Sequence, residues 1–110
     1  MAFDAIADLW QISQMKAELI FRYRTVFEDG HFMRVMVWKT PKNVPPTTHG
    51  YKYSLFYGRP GERIVGYDNE RGKGDHRHYR LIEIQYEFSS LAKMLLDFEL
   101  DVKKERGEKE

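Results

Sequence analysis

The chain has 110 residues, 42% hydrophobic and 15% aromatic, which is the size of one domain with enough apolar material for one core. It has no cysteine, which excludes a disulfide scaffold, a thiolate nucleophile and a cysteine-ligated metal. The net charge is only +1, but residues 1–80 hold 13 lysines and arginines against nine acidic residues, whereas residues 81–110 hold five against eight. A polyanion could therefore be attracted to the first part of the chain without being attracted to all of it.

The first half of the chain has the patterns of a helical turn and two antiparallel strands. Residues 4–10 can form a short helical turn. Residues 15–27 alternate apolar and polar side chains, which predicts a strand with one buried face. Asp29-Gly30 supplies a tight hairpin turn, the returning strand covers residues 32–40, and the proline-rich residues 41–50 form a loop.

The second half has the patterns of further strands and one amphipathic helix. Strands are expected over residues 51–57, 62–67 and 81–88, with a loop over residues 68–78. Either Ser89 or Ser90 can cap a helix that follows. The apolar stripe of that helix is formed by Leu91, Met94, Leu95, Phe98 and Val102.

The order of these elements predicts an α+β fold: an antiparallel, meander-like sheet of about five strands packed against a C-terminal helix, with a short N-terminal helical turn. Residues 1–102 form the single domain, and residues 103–110 form a charged tail that we expect to be disordered. The tyrosines of the strand over residues 51–57 belong first to the core. If that strand lies at an exposed edge, it could pair two copies into a homodimer.

No apolar run approaches the ~20 residues of a membrane-spanning helix. The first ten residues lack the basic segment of a secretory signal. We therefore expect a cytoplasmic protein without a membrane partner.

One segment, residues 66–78, concentrates the polar chemistry of the chain. Its sequence is Gly-Tyr-Asp-Asn-Glu-Arg-Gly-Lys-Gly-Asp-His-Arg-His. His76 and His78 are two residues apart, so on an extended backbone they point to the same side, with Arg77 opposite. Histidine can both take and give a proton near neutral pH, which RNA cleavage through the 2′-hydroxyl requires. The hypothesis is a metal-independent site with His76 and His78 as acid and base and Asp75 orienting one imidazole.

Neighbouring cations, polar groups and rings are candidates for contact with the substrate. Basic side chains can hold the phosphate, and the N–H groups of Gly72 and Gly74 can face an anion. Tyrosine rings can stack on bases. The candidates for phosphate or substrate contact are Arg71, Lys73, Arg77, Tyr53, Tyr67, Asp68 and Asn69.

The same segment fits three other interpretations. On the residues alone, a structural or solvated loop is the commoner outcome for such a cluster. A non-catalytic binding or regulatory module could use the loop to recognise a partner protein or a nucleic acid. A metal-dependent nuclease could use Asp68, Asp75 and the histidines, although two histidines without a distant third ligand are a weak metal signature. The leading hypothesis requires no metal and no cofactor.

Uncommon short motifs in two segments of the chain resemble those of a known protein family. Residues 49–55 read His-Gly-Tyr-Lys-Tyr-Ser-Leu, and residues 66–78 contain Tyr-Asp-Asn, Gly-Lys-Gly and Asp-His-Arg-His. Together they resemble the TumE family of bacterial and archaeal toxins of toxin–antitoxin systems, over residues 16–102. The resemblance implies a small toxin encoded beside a helix-turn-helix antitoxin that binds and neutralises it. It does not define the reaction, so RNA as the target rests on the loop chemistry and on analogy with small toxins in general.

Overall fold

The computed structural model describes residues 17–43 and 45–108, and within them it contains one antiparallel sheet and one helix. The sheet has six strands, each paired with its neighbour in sequence. The elements are β1 (Glu18–Val26), β2 (Phe32–Lys39), β3 (Tyr51–Arg59), β4 (Glu62–Glu70), β5 (Gly74–Tyr79), β6 (Ile82–Gln85) and the helix α1 (Leu91–Glu105). The predicted α+β meander with a C-terminal helix is confirmed, with six strands in place of about five. The helical turn expected over residues 4–10 lies outside the described residues.

The additional strand comes from the polar segment, where the predicted loop over residues 68–78 is wrong. β4 continues to Glu70 and β5 starts at Gly74, and the two strands pair as a hairpin. Polar side chains stand on both faces of this hairpin, which hides the apolar–polar alternation on which a strand prediction depends. The strand expected over residues 81–88 is correspondingly shorter, as β6.

β1 is a strand, as predicted, but its expected buried face is exposed. Leu19, Phe21 and Tyr23 are 43–45% exposed. The reason is the position of the helix: α1 contacts β4, near the middle of the sheet, while β1 forms an edge. Among the described strands the edges are β1 and β6. β3 pairs on both sides, with β2 and β4, so it cannot join two copies edge to edge.

The core lies between α1 and strands β2 to β4. Met94, Phe98 and Val102 of the predicted stripe are the buried residues of the helix. Tyr53 and Tyr57 are 0% and 2% exposed, which confirms their assignment to the core. Apolar side chains at helical spacing therefore cover the alternate residues of the central strands.

Ser90 is the residue that caps α1. Its Oγ accepts a hydrogen bond from the backbone N–H of Lys93, at 3.1 Å. We expect Ser90→Ala to lower the free energy of unfolding by about 1 kcal/mol, because one N–H of the first turn loses its partner. Ser89→Ala, which removes a neighbouring hydroxyl, is the control and should change little. Urea unfolding measures both, and equal effects would contradict the assignment. At its other end α1 continues through Glu105, into the segment expected to be a tail.

The two faces of the sheet carry different chemistry. Residues that pair across strands share a face, so the register assigns each side chain to a side. The helix face, covered by α1, carries Val35, Leu55 and Tyr67. We call the opposite side the far face. Its side chains include Arg22, Arg24, Arg34, Lys52, Phe56, Asp68, His76 and His78.

Candidate functional site

The chemically dense segment is divided between the two faces of the β4–β5 hairpin. Asp68 pairs with His76, and Gly66 pairs with His78, so Asp68 and both histidines lie on the far face. The residues on the helix face are Tyr67, Asn69, Asp75 and Arg77. Because strand side chains alternate, neighbours in the sequence are separated by the thickness of the sheet.

On the far face, one carboxylate meets both imidazoles. His78 Nε2 lies 3.1 Å from Asp68 Oδ1, and His76 Nδ1 lies 4.0 Å from the same oxygen. The two rings are 6.2 Å apart between centroids, and each histidine is only 6% exposed. The same-side placement of the histidines agrees with their spacing in the sequence. We call Asp68, His76, His78 and Arg63 the far-face cluster.

Arg63 fixes the tautomer of His78. Its Nη2 lies 2.9 Å from His78 Nδ1. A guanidinium only donates, so Nδ1 accepts and the ring proton is on Nε2, from which it is donated to Asp68. Glu83 Oε1 lies 3.7 Å from the same Nδ1. The Nδ1 atom of His78 can therefore accept a hydrogen bond from Arg63 when the ring is neutral, and it has the Glu83 carboxylate nearby when the ring is protonated.

A β-bulge places Arg63 in the cluster. Tyr57 pairs with Val65, but Gly58 pairs with Arg63, so one residue of β4 is extra. The bulge moves Arg63 to the face opposite that of Val65, because it interrupts the alternation. Gly66 leaves room for the arginine to cross: a Cβ there would stand 2.6 Å from Arg63 Cδ. Sequence reasoning missed Arg63 because simple alternation assigns it to the helix face.

Asp68 is held in its ionised form. Burial would raise its pKa, but the hydrogen bond and electrostatic attraction of His78 and the positive charges of Arg63 and Lys52 outweigh burial, so the pKa lies below its ordinary value of 3.8. Lys52 is 6% exposed, and its ammonium donates to the carbonyl oxygen of Asn69. Sequence reasoning missed Lys52 as well, although its position between Tyr51 and Tyr53 assigns it to the opposite face from those rings.

The lowered pKa of Asp68 predicts a pH dependence of stability. A carboxyl group with a lower pKa in the folded state stabilises the fold above its unfolded pKa, and this stabilisation is lost as the pH falls through the folded pKa. The difference in unfolding free energy between wild type and Asp68→Asn should therefore shrink as the pH falls below 3.8. Urea unfolding at a series of pH values measures it. A difference that stays the same or grows as the pH falls below 3.8 would contradict the assignment.

Asp75 belongs to a separate network on the helix face. Its Oδ1 accepts from Tyr53 OH at 2.5 Å and from His49 Nε2 at 2.9 Å. His49 Nδ1 in turn accepts the N–H of Tyr51 at 3.1 Å, which places the ring proton on Nε2. Burial, followed by the bond to Asp75, raises the pKa of Tyr53 far above its usual range, so the phenol stays a donor. The structure thus places the Asp75 carboxylate against His49, not against His76 or His78 as expected.

Three predicted substrate ligands lie in the buried core. Tyr53, Tyr67 and Asn69 are each 0% exposed. The Asn69 side chain accepts from the N–H of Tyr53 at 3.1 Å and donates to the carbonyl of Tyr51 at 2.7 Å. Neither buried ring presents a face for a base, and both the oxygen and the nitrogen of the amide are hydrogen-bonded to the backbone of β3.

The remaining predicted cations also lie away from the far-face cluster. Arg77 donates to Asp101 Oδ1 at 2.6 Å, and the Tyr67 hydroxyl donates to Asp101 Oδ2 at 2.5 Å, so both fasten the hairpin to α1. Arg71 and Lys73 are exposed in the turn between β4 and β5. Lys73 borders a groove of about 390 Å³ that Asp75 also lines.

The described residues contain no group of three or more His, Cys, Asp or Glu side chains arranged to hold a metal ion. The set proposed for a metal-dependent nuclease is not assembled either, since Asp68 and Asp75 stand on opposite faces of the hairpin. Nor does any helix in this part of the chain have the length and apolar character needed to cross a bilayer.

Comparison with known protein families identifies the family to which the chain is similar. The family model described as Toxin TumE matches residues 5–106, which include the whole sheet, the far-face cluster and α1. No curated protein and no solved structure matches the chain.

Proposed function

The chain belongs to the TumE toxin family, and we propose that this toxin acts on RNA by metal-independent acid–base chemistry in the far-face cluster. Membership of this family makes it the toxin of a toxin–antitoxin system, with an antitoxin as its partner. We further propose that the antitoxin is a helix-turn-helix protein and that the toxin acts in the cytoplasm. The observation that carries the ribonuclease proposal is one ionised carboxylate in contact with two imidazoles and an arginine on a single face of the sheet.

Cleavage through the 2′-hydroxyl needs a base for that proton, an acid for the leaving 5′-oxygen and a cation for the phosphate. When the 2′-oxygen attacks phosphorus, the bond to the 5′-oxygen breaks, and the product is a 2′,3′-cyclic phosphate. His76 is proposed as the base. Among the described residues, its imidazole has Asp68 as its one charged partner, at 4.0 Å, so its ring nitrogens are less constrained than those of His78.

His78 is proposed as the acid because it has a partner in either protonation state. The neutral ring accepts from Arg63, and the protonated ring has Glu83 within 3.7 Å. Arg63 has its Nη1 3.6 Å from Asp68 Oδ2, and once released from His78 it can offer its Nη2 to the phosphate as a charge-assisted hydrogen-bond donor. Asp68, not Asp75, is the positioning carboxylate in this scheme.

The alternative is a non-catalytic binding module. The burial of both imidazoles, each 6% exposed, favours it, because a buried and hydrogen-bonded cluster can serve to stiffen a recognition surface. In this case the toxin would arrest growth by binding its target, without turnover.

A comparison of Asp68→Asn with Asp75→Asn tests the proposal. We expect Asp68→Asn to slow cleavage of an RNA oligonucleotide by more than about tenfold and to relieve growth arrest, since it removes the negative charge shared by the histidines. Asp75→Asn, an isosteric change on the other face, should retain cleavage once its folding has been verified. Addition of a chelator should leave the wild-type rate unchanged.

Three results would count against the proposal. Intact RNA after incubation with folded, antitoxin-free wild type excludes ribonuclease action, and growth arrest without cleavage supports the binding module. Loss of cleavage in Asp75→Asn but not in Asp68→Asn would return the positioning role to Asp75. Loss of the wild-type rate on chelation would indicate a metal.

A further inference from the structure

Arginine and phenylalanine side chains alternate on the far face of β1 to β3. The rings of Phe32 and Phe56 stack with centroids 5.1 Å apart and an interplanar angle of 25°. The Arg24 guanidinium lies 5.3 Å from the centroid of Phe32, and that of Arg34 lies 5.7 Å from the centroid of Phe56. We call these four residues the arginine–phenylalanine ladder. The rings hold the guanidinium groups in place by cation–π attraction.

The ladder leads to the far-face cluster along one row of paired residues. Arg24 pairs with Arg34, Arg34 with Phe56, Phe56 with Gly66, and Gly66 with His78. At the usual spacing between strands, this row spans about 19 Å. The Arg63 side chain crosses Gly66 between the ladder and His78, so three arginines precede the histidine along the row.

The charges of the ladder are accessible and unneutralised. Arg24 and Arg34 are exposed, as is Arg22 in the neighbouring row. Within residues 17–43 and 45–108, none of these three arginines forms an ion pair, whereas Arg77, Arg80 and Arg106 each do. Among the described strand residues of this face, the acidic ones are Asp68, Glu70 and Glu83, and all three lie on the side of the sheet away from β1. The edge that carries the ladder is therefore positive.

We propose that the arginine–phenylalanine ladder binds the backbone of single-stranded RNA and leads it to the far-face cluster. Planar guanidinium groups suit phosphate oxygens, and they also stack on bases, a combination used by proteins that bind single strands. The ladder is aligned with the histidines, which favours RNA as the ligand, because an acidic segment of a protein would not need to reach the histidines. The proposal that RNA is led to the histidines rests on the proposed function, whereas the proposal that the ladder binds RNA does not.

Fluorescence anisotropy with a labelled 2′-O-methyl oligouridine of about twelve nucleotides measures binding alone, since this probe has no free 2′-hydroxyl and exceeds the span of the row. We expect Arg24→Gln/Arg34→Gln to weaken binding at least tenfold. The slope of log affinity against log salt should become shallower by about 1.4, since two phosphate contacts are lost. The control, Lys93→Gln/Lys104→Gln, removes the same charge from exposed positions on α1 and should bind within twofold of wild type.

Phe32→Leu keeps every charge and removes one ring on which an arginine rests, so a severalfold loss of affinity is expected. Circular dichroism and urea unfolding confirm that the variants fold. Equal affinity of the ladder variant and wild type would overturn the proposal. So would competition by polyglutamate as strong as that by RNA of the same charge, which would indicate a surface for an acidic protein.

A dinucleotide is too short to reach from the far-face cluster to the ladder. Its cleavage therefore tests the ribonuclease proposal separately from the proposal that the ladder binds RNA. Wild-type and ladder variants should cleave it at the same rate. Absence of cleavage of both the dinucleotide and an RNA oligonucleotide by wild type, together with impaired oligonucleotide binding by the ladder variant, would refute the ribonuclease and leave the ladder supported.

Discussion

Replacement of His76 by alanine is expected to slow RNA cleavage by about 10²- to 10⁴-fold, the usual contribution of a positioned acid or base. The expectation follows from the contact between its ring and Asp68, at 4.0 Å, and from the two bonds that already occupy the nitrogens of His78. Single-turnover cleavage of an RNA oligonucleotide by purified protein measures the effect. Growth of cells that express each variant from a tight promoter shows whether toxicity follows the rate.

His49→Asn is the matched control for this substitution. His49 is also a histidine within a polar network, but it lies with Asp75 and Tyr53 on the helix side. Its loss should lower stability and leave cleavage by the folded fraction unchanged. If His76→Ala is folded and cleaves as fast as wild type, the far-face cluster is not the catalytic site.

The largest expected effect on stability comes from Phe98→Ala, which should lower the free energy of unfolding by about 3–5 kcal/mol. Phe98 is 2% exposed and stands edge-on to Tyr67, with ring centroids 5.8 Å apart and an interplanar angle of 87°. Its removal leaves a cavity between α1 and β4 that the rigid sheet cannot close. Native domains have only about 5–15 kcal/mol of stability in total, so this loss is a large fraction of it, and the variant is best measured in the cold.

Leu96→Ala provides the comparison, because Leu96 lies on the same helix and is 51% exposed. A loss of less than about 1 kcal/mol is expected there. Urea unfolding followed by circular dichroism measures both variants. Similar losses for the two would contradict the position of the core.

The helix also supports the candidate site from behind. Asp101 of α1 accepts hydrogen bonds from Tyr67 of β4 and Arg77 of β5, and the side chains next to them in the sequence are Asp68, His76 and His78. Residues that alternate along the hairpin therefore contribute to different structures: one set contacts α1, and the other forms the far-face cluster. Those on the helix face fix the two strands relative to each other, and this fixes the distances between the carboxylate and the imidazoles on the far face.

Several features of the protein could be predicted from local sequence alone. The strands over residues 32–40 and 51–57, the helix with its stripe at Met94, Phe98 and Val102, and the serine cap depend on periodicity and on backbone hydrogen bonding within a few residues. The same-side placement of His76 and His78 follows from their spacing once the backbone is extended. The short motifs in residues 49–55 and 66–78 were enough to indicate the toxin family.

Only the tertiary structure decided which groups meet. Asp75 is adjacent to His76 in the sequence but faces away from it, while Asp68, eight residues earlier, faces it across the hairpin. Arg63 reaches the cluster because a bulge in β4, opposite Tyr57 and Gly58, reverses its face, and β1 remains exposed because α1 lies over the middle of the sheet. These outcomes depend on strand register and helix position, which are set by contacts between residues far apart in the chain. A shift of one residue exchanges the two faces of a strand, so the local pattern of a polar hairpin does not determine them.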